Sequence, residues 1–125
     1  MPFYTINDTH LNDTIAEAIV HRERELFSYD LNIVNYETAL AGMPQDDWPE
    51  HLAQYQTATL DQVPDEYDAI VSEYQFRDRL RYLLKTERAE RLKTFKIYEA
   101  LVARLPADQI ETLVAEAHAR INAAQ

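Results

Sequence analysis

The chain contains no cysteine and only one glycine among its 125 residues. Without cysteine, neither a disulfide nor a thiolate metal site is available. Tight turns need residues that tolerate positive φ, and sheet proteins of this size need many such turns. Asn and Asp also occupy such positions, but with Gly42 alone the composition favours long helices joined by few connections.

Segments typical of membrane insertion and secretion are missing as well. No apolar run approaches the roughly 20 residues that a membrane span requires. Residues 1–5, Met-Pro-Phe-Tyr-Thr, lack the basic and apolar regions of a secretory signal. Together with the absence of cysteine, these features predict a cytoplasmic protein with no membrane partner.

Motifs that carry catalysis or bind metal are also absent. A single glycine excludes a glycine-rich phosphate loop, and neither Gly-x-Ser-x-Gly nor His-Glu-x-x-His occurs. His21 and Glu25 share a helix face, but Glu23 lies on the opposite side, and the Glu-x-x-His spacing of di-iron bundles is missing. We therefore expect no catalysis, no metal and no cofactor.

Charge is distributed unevenly along the chain. The formal net charge is −10, yet residues 77–104 hold nine of the 12 Lys and Arg and four of the 22 acids. That stretch is net +5, and the remainder is net −15. Overall acidity at this level repels nucleic acids and anionic membranes.

Apolar spacing predicts three helices within one domain. The first, over about residues 10–41, has a heptad-like set of apolar positions. Its members are Ile15, Ile19, Leu26, Tyr29, Ile33, Tyr36 and Leu40. The second and third helices are predicted over about 64–104 and about 107–122. Residues 1–8 are expected to form an N-terminal arm, and residues 43–64 a connector with a short helix over about 48–55.

Helix-capping and helix-breaking residues define the predicted helix ends. Gly42 follows the last apolar position of the first helix, where a left-handed C-cap is typical. Asp47 and Glu50 have capping-box spacing for the short helix, and Pro106 ends the second long helix. An acidic first helix and a basic second helix favour antiparallel pairing. The predicted fold is all-α: an antiparallel hairpin of two long helices, a short connecting helix and a C-terminal third helix.

Four arginines continue the three- and four-residue spacing of the second helix. They are Arg77, Arg81, Arg88 and Arg91, with Lys85 beside them. Arginine at an inward-facing position is costly unless paired, so these residues are candidates for ion pairs with the first helix or with another subunit. The alternative is a groove for a nucleotide or other anion, because the planar guanidinium holds phosphate oxygens bidentately. Acid-paired arginines favour assembly, whereas an exposed groove favours a ligand.

Aromatic residues are the remaining candidates for contacts with a partner. Tyrosine occurs eight times and is enriched at interfaces. Tyr29, Tyr36 and Tyr74 are interpreted either as a slightly polar core between the two helices or as an interface. Trp48 beside Pro49 either covers one end of the hairpin or anchors a partner.

Several short runs resemble small uncharacterised phage and prophage proteins. These runs are His21-Arg22-Glu23-Arg24-Glu25, Tyr29, Asn32-Ile33-Val34-Asn35-Tyr36, Trp48-Pro49 and Arg77-Asp78-Arg79-Leu80-Arg81. The resemblance covers about residues 20–105. It implies a phage-associated accessory protein and brings no known activity or functional residue with it.

The sequence therefore leads to one main functional hypothesis and two alternatives. The main hypothesis is a non-enzymatic interaction protein that forms a homo-oligomer and also binds another protein, a host protein if the chain is phage-encoded. The first alternative is a protein that binds or sequesters a nucleotide or other anion through the arginines. The second is a nucleic-acid mimic, in which the acidic part of the chain binds a basic protein.

Overall fold

The computed structural model describes residues 8–125, which fold into three α-helices, with short 3₁₀ segments between the first and the second. The helices are α1 (Asp8–Ala41), α2 (Asp68–Val102) and α3 (Ile110–Ala123). Short 3₁₀ segments cover Glu50–Tyr55, Leu60–Gln62 and Asp65–Tyr67. Residues 8–125 contain no strand, so the predicted all-α class is confirmed. The predicted arm over residues 1–8 lies outside the described residues, apart from Asp8, which begins α1.

The two long helices pack together and run in opposite directions. Ion pairs join Asp30 of α1 to Arg91 of α2 and Glu37 to Arg88, so residue numbers rise along α1 as they fall along α2. Basic residues of α2 thus meet acids of α1, as the charge distribution suggested. The antiparallel hairpin with a C-terminal third helix is confirmed.

The connector differs in detail from the sequence prediction. The expected capping box of Asp47 and Glu50 is wrong, because Pro49 occupies the N-cap position and makes no side-chain cap hydrogen bond. Glu50 is then the first residue of the 3₁₀ segment instead of the third, where a capping-box glutamate belongs. Pro64 caps a separate 3₁₀ turn, so α2 begins at Asp68 and not near residue 64.

The expected left-handed cap at Gly42 is also wrong, since no residue of the described chain has positive φ. The Gly42 N–H donates to the Ala39 carbonyl at 3.3 Å, and the Met43 N–H donates to the Leu40 carbonyl at 3.1 Å. These bonds to the third preceding residue tighten the last turn of α1. Pro44 follows and lacks the N–H that a continuing helix would need.

The chain divides into two compact units, each with its own apolar core. One unit comprises the chain up to Asp30 together with Glu90–Gln125. Its buried side chains come from α1, from α3 and from the turn after α2: Ile15, Ala16, Ile19, Val20, Leu105 and Ala117. Alanine at two of these positions lets α1 and α3 approach closely.

The second unit, Leu31–Ala89, is built around the connector. Leu52, Val63 and Val71 are its buried apolar side chains. Partly buried side chains pack around them: Trp48, Tyr55, Ala58 and Tyr67. The 3₁₀ turns therefore form an apolar cluster against the start of α2.

Candidate functional site

Arg77, the first of the candidate arginines, is buried with 2% of its surface exposed. Its Nη1 donates to the carbonyl oxygens of Pro44 at 3.0 Å and Asp46 at 2.5 Å. Its Nε and Nη2 lie 3.2 and 3.1 Å from the Asp78 carboxylate. These hydrogen bonds and the ion pair offset the cost of burying the Arg77 guanidinium. They also hold the connector against α2.

Tyr74 and Trp48 extend this arrangement. The Tyr74 hydroxyl donates to the Asp46 carboxylate at 3.0 Å, and the Arg77 guanidinium lies 4.7 Å from the Tyr74 ring centre. The Trp48 Nε1–H donates to Asp78 at 2.7 Å, and its ring lies 5.2 Å from the Tyr74 ring. We call these five residues the connector clamp: Asp46, Trp48, Tyr74, Arg77 and Asp78. Burial and then the hydrogen bond to Asp46 raise the pKa of Tyr74 above its ordinary value.

The other three arginines are surface residues paired with carboxylates of the same chain. The pairs are Arg81–Asp78 at 3.7 Å, Arg88–Glu37 at 3.6 Å and Arg91–Asp30 at 2.5 Å. More than a third of each arginine is exposed, so each pair contributes about 0–1 kcal/mol. Lys85 is exposed on the same helix. The four arginines are thus divided between a buried clamp and separate surface ion pairs.

A different surface of α1 carries an exposed row of apolar side chains. Phe27 is 70% exposed, Leu31 51% and Val34 57%. Their spacing of four and three residues places them on one face of the helix. We call these three residues the α1 outer stripe. The large exposed apolar residues of α2 are five or more residues apart along that helix and form no comparable row.

The α1 outer stripe continues a face that is buried further toward the N-terminus. Val20, seven residues before Phe27, lies on the same side of the helix and is fully buried in the core that contains Ala117 of α3. The Arg24 guanidinium donates to the Asn122 side chain near the end of α3 at 2.7 Å. The apolar face of α1 is therefore covered by a helix up to about Arg24 and exposed beyond it.

Acids on one flank of the stripe are neutralised within the chain. Asp30 pairs with Arg91 and Glu37 with Arg88. Both arginines come from α2, so the basic stretch of that helix supplies the counter-charges for the acids nearest the stripe. The pairs leave no net charge along this flank.

The rest of the border is neutral too. Ser28 and Asn35, on the other flank, carry no charge. At the N-terminal end Glu23 and Arg24 have opposite charges, and the Glu23 carboxylate lies 3.1 Å from His118 Nε2. The stripe therefore has a border that is neutral overall, although the chain has a net charge of −10.

The tyrosines proposed from sequence lie elsewhere. Tyr29 and Tyr36 are half-buried, and Tyr74 is buried in the connector clamp. Phe27, Leu31 and Val34 were not among the residues that the sequence singled out. Their four- and three-residue spacing, beside the heptad-like set of the same helix, is the signal that identifies a second apolar face.

No protein-family model, curated protein or solved structure matches the chain. Within residues 8–125, no group of three or more His, Asp or Glu side chains is arranged to hold a metal ion. None of the helices in this part of the chain combines the length and apolar character needed to cross a membrane.

Proposed function

We propose that the chain is a non-enzymatic interaction protein that binds another protein chain through the α1 outer stripe. The observation that carries this proposal is the exposure of Phe27, Leu31 and Val34 on consecutive turns of one helix. Contiguous exposed apolar surface with a polar border is typical of protein-binding sites. Aromatic residues such as Phe27 are also enriched at such interfaces.

The placement of the arginines supports this proposal over anion binding. A phosphate-binding groove needs guanidinium groups that converge on one ligand and are free to bind it. Arg77 is instead committed to backbone carbonyls and Asp78, and Arg88 and Arg91 have carboxylate partners on α1. A ligand would have to displace these carboxylates.

The resemblance to small phage and prophage proteins supports a narrower proposal. On this view the chain is a phage accessory protein that acts as an oligomer and modulates a host protein. The supporting residues lie mainly on α1, where His21–Glu25 precedes the stripe and Asn32–Tyr36 contains its last member, Val34.

Site-specific photo-crosslinking in bacterial cells tests the interaction proposal. Leu31 is replaced by p-benzoylphenylalanine, and the control carries the same group in place of Phe76, which is 54% exposed on α2. We expect a covalent protein adduct from position 31 and little from position 76. The absence of an adduct at position 31, or equal adducts at both positions, would contradict the proposal.

A further inference from the structure

We infer that the occupant of the α1 outer stripe is a second copy of this chain, bound so that the two α1 helices pack against each other around a two-fold axis. This inference rests on the proposed function, since it names the partner of the same surface. It predicts a homodimer in which Phe27, Leu31 and Val34 are buried. Three steps support it: the kind of element that fits, the charge, and the symmetry.

The first step is that the missing cover is a helix. In the first unit the same face of α1 is buried at Ala16 and Val20, in the core that contains Ala117 of α3. A helix therefore already packs on this face, and the exposed side chains keep the spacing that such packing uses. The face continues to Val34, about three turns beyond Arg24, which hydrogen-bonds Asn122 near the end of α3.

The second step is electrostatic. A second copy carries the same charge of −10, so the two copies repel each other overall and a locally neutral surface favours their association. The stripe meets this condition because Arg91 and Arg88 neutralise Asp30 and Glu37. A surface that binds a basic partner would instead carry unpaired acids, since binding partners present complementary charge.

The third step is symmetry. A two-fold contact places a surface against itself, so residues near the axis meet their own kind. Leu31 lies at the centre of the stripe and is apolar, so two copies of it can meet without cost. An antiparallel arrangement then sets Phe27 beside Val34 of the partner subunit, and it separates the two Arg24 side chains. Antiparallel helices also place their dipoles in opposite directions.

The contact is small, because the stripe spans only about two turns of one helix. Stable dimers usually bury about 1,200–2,000 Å² in total, and smaller interfaces are typical of weak association. We therefore expect a dissociation constant of roughly 10–100 µM.

Sedimentation equilibrium of the purified chain tests the dimer directly, over roughly 1–500 µM to bracket that constant. The mass is expected to rise from the 14.6 kDa monomer toward twice that value. Leu31→Glu places two carboxylates at the axis and should weaken association about tenfold or more. Tyr82→Glu is the matched control, because Tyr82 is 62% exposed on α2 and lies outside the stripe. If the Leu31→Glu variant loses helical content, the Leu31→Gln variant is measured in its place. The concentration dependence of the wild-type mass tests the dimer without either variant.

The lack of cysteine allows a test of the register. A single Leu31→Cys thiol lies at the axis and should form an intermolecular disulfide under oxidation. Phe27→Cys should not, because four residues on either side of the axis separate the two thiols by about 12 Å along the helices. Efficient disulfides at both positions would overturn the antiparallel arrangement.

The outcomes separate the dimer from the broader function. A chain that remains monomeric at every concentration overturns the inferred dimer. If position 31 then still crosslinks in cells to a protein of another mass, the interaction proposal stands without the dimer. If position 31 gives no adduct in cells either, both proposals fail.

Discussion

Replacing Arg77 by methionine should destabilise the protein more than replacing any other arginine of α2. Arg77 is 2% exposed, and its donors reach the carbonyl oxygens of Pro44 and Asp46 and the carboxylate of Asp78. Methionine fills a similar volume but donates no hydrogen bond. The two carbonyls and the carboxylate would then lose a charged donor in a site from which water is largely excluded.

The expected loss of unfolding free energy follows from how far Arg77 and Asp78 are exposed to solvent. Removing one member of a fully buried ion pair costs about 3–5 kcal/mol. Asp78 is 30% exposed and keeps the hydrogen bond from Trp48, so we take the low end, about 3 kcal/mol. In a chain of this size that corresponds to a fall of roughly 10 °C in the melting temperature. Arg77→Lys retains the charge without the planar fork, so an intermediate loss is expected.

Arg81→Met is the matched control, because Arg81 pairs with the same carboxylate. The Arg81–Asp78 distance is 3.7 Å and Arg81 is 46% exposed, so its removal should cost under about 1 kcal/mol. Urea unfolding followed by circular dichroism measures both variants. Equal losses for Arg77→Met and Arg81→Met would refute the clamp, because burial would then have no bearing on the cost.

Three further predictions concern the helix end, the α1–α3 contact and the clamp tyrosine. Gly42→Ala should stabilise by about 0.4–1 kcal/mol in urea unfolding, because φ is not positive and an added Cβ lies 3.7 Å from the nearest backbone oxygen; a clear destabilisation would mean a left-handed cap in solution. Ala117→Leu should cost about 1–3 kcal/mol by overpacking a fully buried site, whereas Ala119→Leu on the exposed face of α3 should change stability little; equal effects would contradict the close approach. Because the folded state raises the pKa of Tyr74, the stabilisation present below pH 10.0 is lost as pH rises above it. The difference in unfolding free energy between wild type and Tyr74→Phe should therefore shrink as pH rises above 10.0, and a constant difference would contradict the raised pKa of Tyr74 in the folded state.

Periodicity predicted the helices well, because each long helix repeats its inward positions over many turns. Ile15 and Ile19 are buried as the heptad-like set requires. Later members such as Ile33 and Tyr36 are only half-buried. A repeat identifies which face points inward, but it does not tell how many neighbouring helices cover that face.

Local signals failed where the connector follows an irregular path. Arg77 lies three residues from both Tyr74 and Leu80, so spacing alone shows that it faces inward. What buries it is a pair of backbone carbonyls at Pro44 and Asp46, and no side-chain pattern specifies where such carbonyls point. The same limit applies to Gly42, where a tightened turn replaces the left-handed cap that glycine favours.

The separation of charge between the two long helices pairs them, and it also neutralises the acids beside the α1 outer stripe. Arg88 and Arg91 hold Glu37 and Asp30 across the hairpin, and those acids are the ones beside the exposed stripe. Each pair contributes little to folding, because both partners are exposed to solvent. Without the arginines, however, two copies would bring unpaired carboxylates together, and like charges at a contact oppose association. In the inferred dimer, these surface ion pairs of small value for stability therefore act mainly by allowing one face of an acidic protein to contact a second copy of itself.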